Sequence, residues 1–114
     1  MNLFRKLFGQ SMSTPEKQSE NGIHLVVGLG NPGKEYAETR HNVGFAVLDL
    51  LATHHGLDWE KDRKAKALVA RRGSDLILVK PQTYMNLSGQ SVARIARFFK
   101  IPKEGILVVY DDVD

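Results

Sequence analysis

Side chains suited to chemistry fall in three groups along the sequence, and each group closely follows an apolar run. Asn31, Tyr36 and His41 follow residues 23–29. Tyr84, Met85 and Asn86 follow 75–80. Asp111, Asp112 and Asp114 follow 106–110. If these runs are neighbouring strands of one sheet, with the first and last parallel, the groups meet at one sheet edge, the place where α/β proteins bind ligands. A carboxylate beside an imidazole makes a general base, because it fixes the ring tautomer and stabilises the imidazolium. His41 also stands just ahead of a helix, whose positive end disfavours ring protonation near neutral pH. The Asn31 and Asn86 amides can orient a water or donate to a developing oxyanion.

What is missing narrows the reaction. The chain has no cysteine, and none of its serines stands in a G-x-S-x-G elbow. Ser88 and Ser91 fit the start of a helix. His54 and His55 are adjacent, which is not a metal-ligand spacing. Water activated by a base is left, rather than a covalent or metal-assisted route. Each group also has a plainer reading. A His before a helix is often a hydrogen-bonded loop residue, Asn31-Pro32-Gly33 makes a turn unaided, and residues 111–114 can be a solvated acidic end. Spacing alone leaves both readings standing.

The elements that must position these groups are legible from periodicity. Residues 23–29 are continuously apolar and β-branched, as in a strand buried on both faces. From Val43, apolar residues recur at Ala46, Val47, Leu50 and Leu51, the spacing of an amphipathic helix, with Asn42 as N-cap and Gly56 as stop. Residues 58–66 are polar and irregular, with Trp59 expected to anchor them on the core. Residues 67–71 and 75–80 read as a hairpin across Arg72-Gly73-Ser74. A second helix carries the stripe Val92, Ile95, Ala96 and Phe99, with Ser88 as its expected cap and Asn86 as an alternative. Pro102 closes it, and 106–110 form a last buried strand. The order β-α-β-β-α-β predicts an α/β single domain with a mixed, mostly parallel β-sheet flanked by helices.

Length and composition fit one such domain. The chain has 114 residues, 42% of them hydrophobic and 25% charged, with a net charge of +3. A mildly basic balance is compatible with a polyanionic partner. No apolar run is long enough to span a membrane. Residues 1–22 read as a disordered tail outside the fold, in which Leu3, Phe4, Leu7 and Phe8 can form one face of a short helix. Residues 23–114 form the domain.

Two motifs compete for attention. Gly28-Leu29-Gly30-Asn31-Pro32-Gly33 matches the dinucleotide fingerprint G-x-G-x-x-G, but its context is wrong. The helix does not open at Gly33, Pro32 removes an amide donor, and no second strand ends in an acid at the required distance. Basic residues gather at Lys61, Arg63, Lys64, Lys66, Arg71 and Arg72, and recur at Arg94, Arg97 and Lys100 away from the apolar stripe. They read as a solvated face or, alternatively, as phosphate contacts.

Taken together, VVGLGNPGKEYAETRHNVGF, KPQTYMNLSGQSV and ILVVYDDVD resemble bacterial-type peptidyl-tRNA hydrolase, over residues 23–114. The resemblance implies a cytoplasmic, cofactor-free and metal-independent monomer that cleaves the ester between peptide and tRNA. Its partners would be the tRNA acceptor end and the nascent peptide, with no membrane. By motif, His41 matches the catalytic base, Asp111 the carboxylate that supports it, and Asn31 the amide that positions the reacting groups. Asn86 matches the amide that grips peptide backbone, Tyr36 the aromatic beside the site, and Met85 a residue lining the peptide groove. Family members continue beyond this length with a Gly-rich stretch, a further catalytic Asn and tRNA-holding basic residues. The resemblance therefore implies a domain truncated at the C-terminus, marginally stable and with little activity alone. Family relatives recruited to RNA splicing supply the alternative of a catalytically inactive RNA-binding protein; a dinucleotide-binding domain is the third reading.

Overall fold

Both faces of the central strands are covered, as their unbroken apolarity requires. The computed structural model describes residues 4–6, 22–30, 42–84 and 87–110. In chain order the elements are β1 (Phe4–Lys6), β2 (Leu25–Gly28), α1 (Val43–His54), β3 (Glu60–Asp62), β4 (Ala67–Arg72), β5 (Leu76–Pro81), α2 (Ser88–Phe99) and β6 (Ile106–Val109). A 3-10 turn at Lys103–Gly105 leads into β6. The strands form one sheet in the order β1-β6-β2-β5-β4-β3.

The sheet is mixed. β2 runs parallel to β5, with Val27 beside Val79, and parallel to β6, with Val27 beside Val108 and Gly28 beside Val109. The pairings of β1 with β6, β3 with β4, and β4 with β5 are antiparallel. Parallel pairing is thus central in the sheet rather than predominant. A parallel neighbour needs a crossover connection, and each helix supplies one.

Side chains alternate between the two faces along each central strand. Leu25, Val27, Ile77, Val79, Ile106 and Val108 lie on one face with Val92 and Ile95 of α2. Val26, Leu78 and Val109 lie on the other with Leu48 and Ala52 of α1. Leu25, Leu48, Ile77, Leu78 and Ile95 are fully buried, and each contributes about 2 kcal/mol through apolar burial. The β4–β5 hairpin closes over residues 73–75, pairing Arg72 with Leu76. Gly73 supplies the left-handed φ of +58° that this turn requires.

Four further expectations need correction. Within the supposed tail, Phe4–Lys6 is a strand on the outer edge of β6, not a helical face, because an unpaired strand edge offers backbone partners to any extended segment. Residues 58–66 are not wholly irregular, since Glu60–Asp62 pairs with β4; a three-residue charged strand has no apolar alternation to reveal it. Leu87, not Ser88, occupies the N-cap of α2, and no side-chain cap bond is made there. Asn42 does hold the N-cap position of α1, again without a side-chain cap bond.

The fourth correction concerns the phase of α1. Its buried line is Gly44, Leu48 and Ala52, while Ala46 and Leu50 of the expected stripe face outward, Leu50 with 71% of its surface exposed. The cause is a close approach. A Cβ on Gly28 would stand 2.5 Å from the Gly44 carbonyl oxygen and 2.6 Å from the Leu48 side chain. A Cβ on Gly44 would strike the backbone of Leu29 and stand 2.5 Å from the Val109 carbonyl oxygen. The first turn of α1 therefore lies directly on the ends of β2 and β6.

A second clamp joins α1 to β5. Lys80 forms an ion pair with Asp49 of α1, and little of its side chain is exposed. Its Nζ lies 4.4 Å from the centre of the Trp59 ring and 5.8 Å from that of Phe45. The cation is thus held between one carboxylate and two aromatic faces, and Trp59 anchors its loop as expected.

Three outcomes follow for stability. Gly44→Ala will cost about 3 kcal/mol in urea unfolding, the upper range for overpacking, because backbone atoms block the new methyl. Gly89→Ala, on an open helix face where a Cβ meets nothing within 4 Å, will instead gain about 0.5–1 kcal/mol. Lys80→Met will lose about 1 kcal/mol in the same assay, since it keeps the apolar stem and removes the charge from its aromatic and acidic neighbours.

Candidate active site

Because β2, β5 and β6 are mutually parallel across the sheet centre, their carboxyl ends share one edge. Gly30, the last described residue before the first chemical group, follows β2. Tyr84, 65% exposed, follows β5, and Tyr110 follows β6. The separate approach of three strand ends anticipated from the sequence is therefore met by the topology. Asn31, Tyr36 and His41 themselves lie outside the described residues, as do Met85, Asn86, Asp111, Asp112 and Asp114.

What surrounds that edge is well defined. Leu29 N–H donates to the Val109 carbonyl at 3.0 Å, carrying the β2–β6 pairing one step past the strands. Gly30 is buried, and a Cβ there would stand 2.7 Å from the Asn42 side-chain oxygen and 3.1 Å from the Phe45 ring. Asn42 is itself buried. Gly28 and Gly30 are thus explained by the close seating of α1, which removes the main support for a dinucleotide fingerprint.

The electrostatics of the edge are set by the helices. α1 opens at Val43 and α2 at Ser88, and neither carries an acidic residue in its first turn. Both helices follow strands that end at this edge, so two positive helix ends with no first-turn carboxylate flank it. Such ends favour anions and developing negative charge. Among the described residues no group of three or more His, Asp or Glu side chains can hold a metal ion. His54 and His55 are exposed in the last turn of α1 and stack edge to face, 5.0 Å between centres. No helix among the described residues is long and apolar enough to cross a membrane.

Sequence reasoning missed Lys80, which fixes α1 against β5. Its one signal was a cation closing an apolar strand immediately before Pro81. The basic residues singled out earlier are partly brought together: Lys64 and Lys66 share a groove with Arg94 and Arg97. Arg71 instead stacks over Phe99, 5.1 Å from the ring centre.

Comparison with known proteins agrees with this architecture. The chain is 52% identical over 95 residues to peptidyl-tRNA hydrolase of Alkaliphilus metalliredigens, covering 81% of this chain and 51% of that protein. It is 53% identical over 94 residues to peptidyl-tRNA hydrolase of Chloroflexus aggregans, covering 79% and 50%. The crystal structure of peptidyl-tRNA hydrolase from Acinetobacter baumannii superposes with a TM-score of 0.76 at 43% identity, covering 82% of this chain and 50% of that one. The chain thus spans about half the length of the relatives it matches. The family model for peptidyl-tRNA hydrolase matches residues 25–114, a span that runs from β2 through α1, the hairpin and α2 to β6 and includes all three chemical groups, so this chain belongs to the peptidyl-tRNA hydrolase family.

Proposed function

We propose that this chain supplies the amino-terminal half of an active site that hydrolyses the ester between peptide and tRNA. The observation that carries the proposal is the parallel pairing of β2 with β5 and β6. It directs the three strands preceding His41, Asn86 and Asp111 to a common edge, within a family match that includes all three residues. In this reading Asp111 orients His41, whose neutral imidazole takes a proton from water as that water attacks the ester carbonyl. Asn31 positions the reacting groups, and the amides together with the two helix ends stabilise the oxyanion. Asn86 holds peptide backbone, Tyr36 is the aromatic of the site and Met85 a residue of the peptide groove. Gripping backbone rather than side chains makes the site tolerant of many peptides.

The reaction needs no metal or cofactor in this scheme, and the protein acts as a cytoplasmic monomer. Residues 23–114 are the amino-terminal portion of the family domain. Outside the edge strand Phe4–Lys6, residues 1–22 act as a tail. The second reading, an RNA-binding protein without activity, gives no role to His41 and Asp111.

The mechanism is tested in a chimaera joining this chain to the carboxyl-terminal half of the Chloroflexus relative. His41→Ala will lower kcat/KM on an N-acetylated aminoacyl-tRNA by about 100-fold or more, the usual contribution of a positioned base. Unchanged turnover by a folded His41→Ala chimaera that still binds tRNA sinks the assignment. The 114-residue chain assayed alone will turn over the same substrate at a small fraction of the chimaera's rate; a comparable rate would show that these residues already complete the site.

A further inference from the structure

Lys64, Lys66, Arg94 and Arg97 line a groove of about 530 Å³ together with Thr83, Leu87, Gln90 and Ser91. No acidic residue lines it. Among the described residues, none of the four cations takes part in an ion pair. The neighbouring groove shares Lys64 and Arg94, but it mixes its cations with Asp58, Glu60 and Asp62. Charge is therefore segregated, with one groove mixed and the other purely cationic.

The cations are held in place by backbone. On one wall the turn between β3 and β4 is pinned at both ends. Ala65 N–H donates to the Asp62 carboxylate at 3.0 Å, and Ala65 is buried between the two exposed lysines. Lys66 adopts a left-handed φ of 56°, unusual for a residue with a side chain. Its carbonyl accepts the Gln82 N–H at 2.7 Å, which ties the turn to the segment leaving β5. On the other wall Arg94 and Arg97 are three residues apart on α2, hence neighbours on one helix face. From Leu87 to Arg97 the helix advances about 15 Å at 1.5 Å per residue. The groove starts beside Thr83 and Leu87, which bracket Met85 and Asn86, and runs down α2 from there.

We propose that this groove binds the phosphodiester backbone of the RNA portion of the substrate. The inference rests on the hydrolase reading for the identity of that RNA, and on charge and continuity for the site. Two guanidinium groups suit phosphate oxygens because their planar forks can donate two hydrogen bonds at once. The pinned lysines add point charge from the facing wall.

The test uses a fluorescent RNA hairpin with an unpaired 3′ end and no esterified peptide, so that binding is read apart from hydrolysis. Affinity is measured for the 114-residue chain between about 50 and 200 mM salt. R94Q/R97Q will weaken binding at low salt by about 10-fold or more and reduce the salt slope by about 2, close to one unit per lost phosphate contact. R94K/R97K keeps both charges and therefore the parent's salt slope, but it loses the planar forks and will bind more weakly than the parent and more tightly than R94Q/R97Q. R72Q/K103Q removes the same charge at the opposite sheet edge and will leave the slope nearly unchanged. Far-UV circular dichroism confirms that each variant remains folded.

Three results overturn the proposal: no RNA binding by the parent chain, equal loss in R72Q/K103Q, or displacement of the hairpin by poly-glutamate as readily as by poly-uridylate. The last would make the groove a general anion patch, with acidic peptide as good an occupant as RNA. Failure of the His41→Ala test with these binding results intact would remove the hydrolase reading and leave the groove.

Discussion

Helix α1 meets the sheet through two glycines. Gly28 ends β2, Gly44 lies in the first turn of α1, and neither position has room for a methyl group. Everything at the carboxyl edge of the sheet depends on this contact. It sets the depth at which α1 docks and turns Leu48 and Ala52 inward. It also brings the start of α1 against the end of β6, because a side chain on Gly44 would strike Val109 as well as Leu29. A helix held off by one methyl layer would leave β2, β6 and its own positive end out of register with one another. The glycines of this stretch thus serve packing, where their spacing suggested a phosphate-binding loop.

This contact also explains where the sequence could be read and where it could not. Strands β2, β5 and β6 were legible because a strand covered on both faces must be apolar throughout. The hairpin was legible because Gly73 marks a turn that other residues adopt at a cost. The phase of α1 was legible only in part: Val47 and Leu51 of the expected stripe do pack on the core, but hydropathy counts side chains and Gly44, seated against the sheet, has none. Ala46 and Leu50 fitted the period better than Gly44, and the backbone contact overrode them. β3 and β1 were hidden for a different reason. Each is three residues long and pairs at a sheet edge, where burial imposes no alternation on its sequence. The identities of His41, Asn86 and Asp111 stood out in the sequence because polar groups directly after buried strands need a reason. The shared edge of the strands that lead to them depends on parallel pairing, which the register supplies.

The two edges of the sheet are finished differently. On one side β3 presents Glu60, Lys61 and Asp62, charges that discourage a further strand from adding there. On the other side β6 would offer an open row of backbone groups, and Phe4–Lys6 occupies it. The pairing couples the beginning of the chain to the strand that leads to Asp111. A residue far from the candidate site in sequence therefore bears on the strand next to it.

The turns divide the work between the sheet's other two edges. The hairpin turn at Gly73 and the 3-10 turn before β6 both lie at the amino end of the parallel strands, where they do no more than reverse the chain. At the carboxyl end lie the openings of α1 and α2 and the pinned turn that carries Lys64 and Lys66. Neither helix spends an acidic residue on its first turn, although a carboxylate there would stabilise the helix. The two helix openings without a first-turn acid and an all-cation groove are thus concentrated on the side where the parallel strands end. A neutral peptide would gain little from that field, whereas a polyanion joined to a peptide would be drawn in by its phosphates and would present its ester at the strand ends. Orientation would then come from charge at one end of the substrate, leaving the side chains at the other end free to vary.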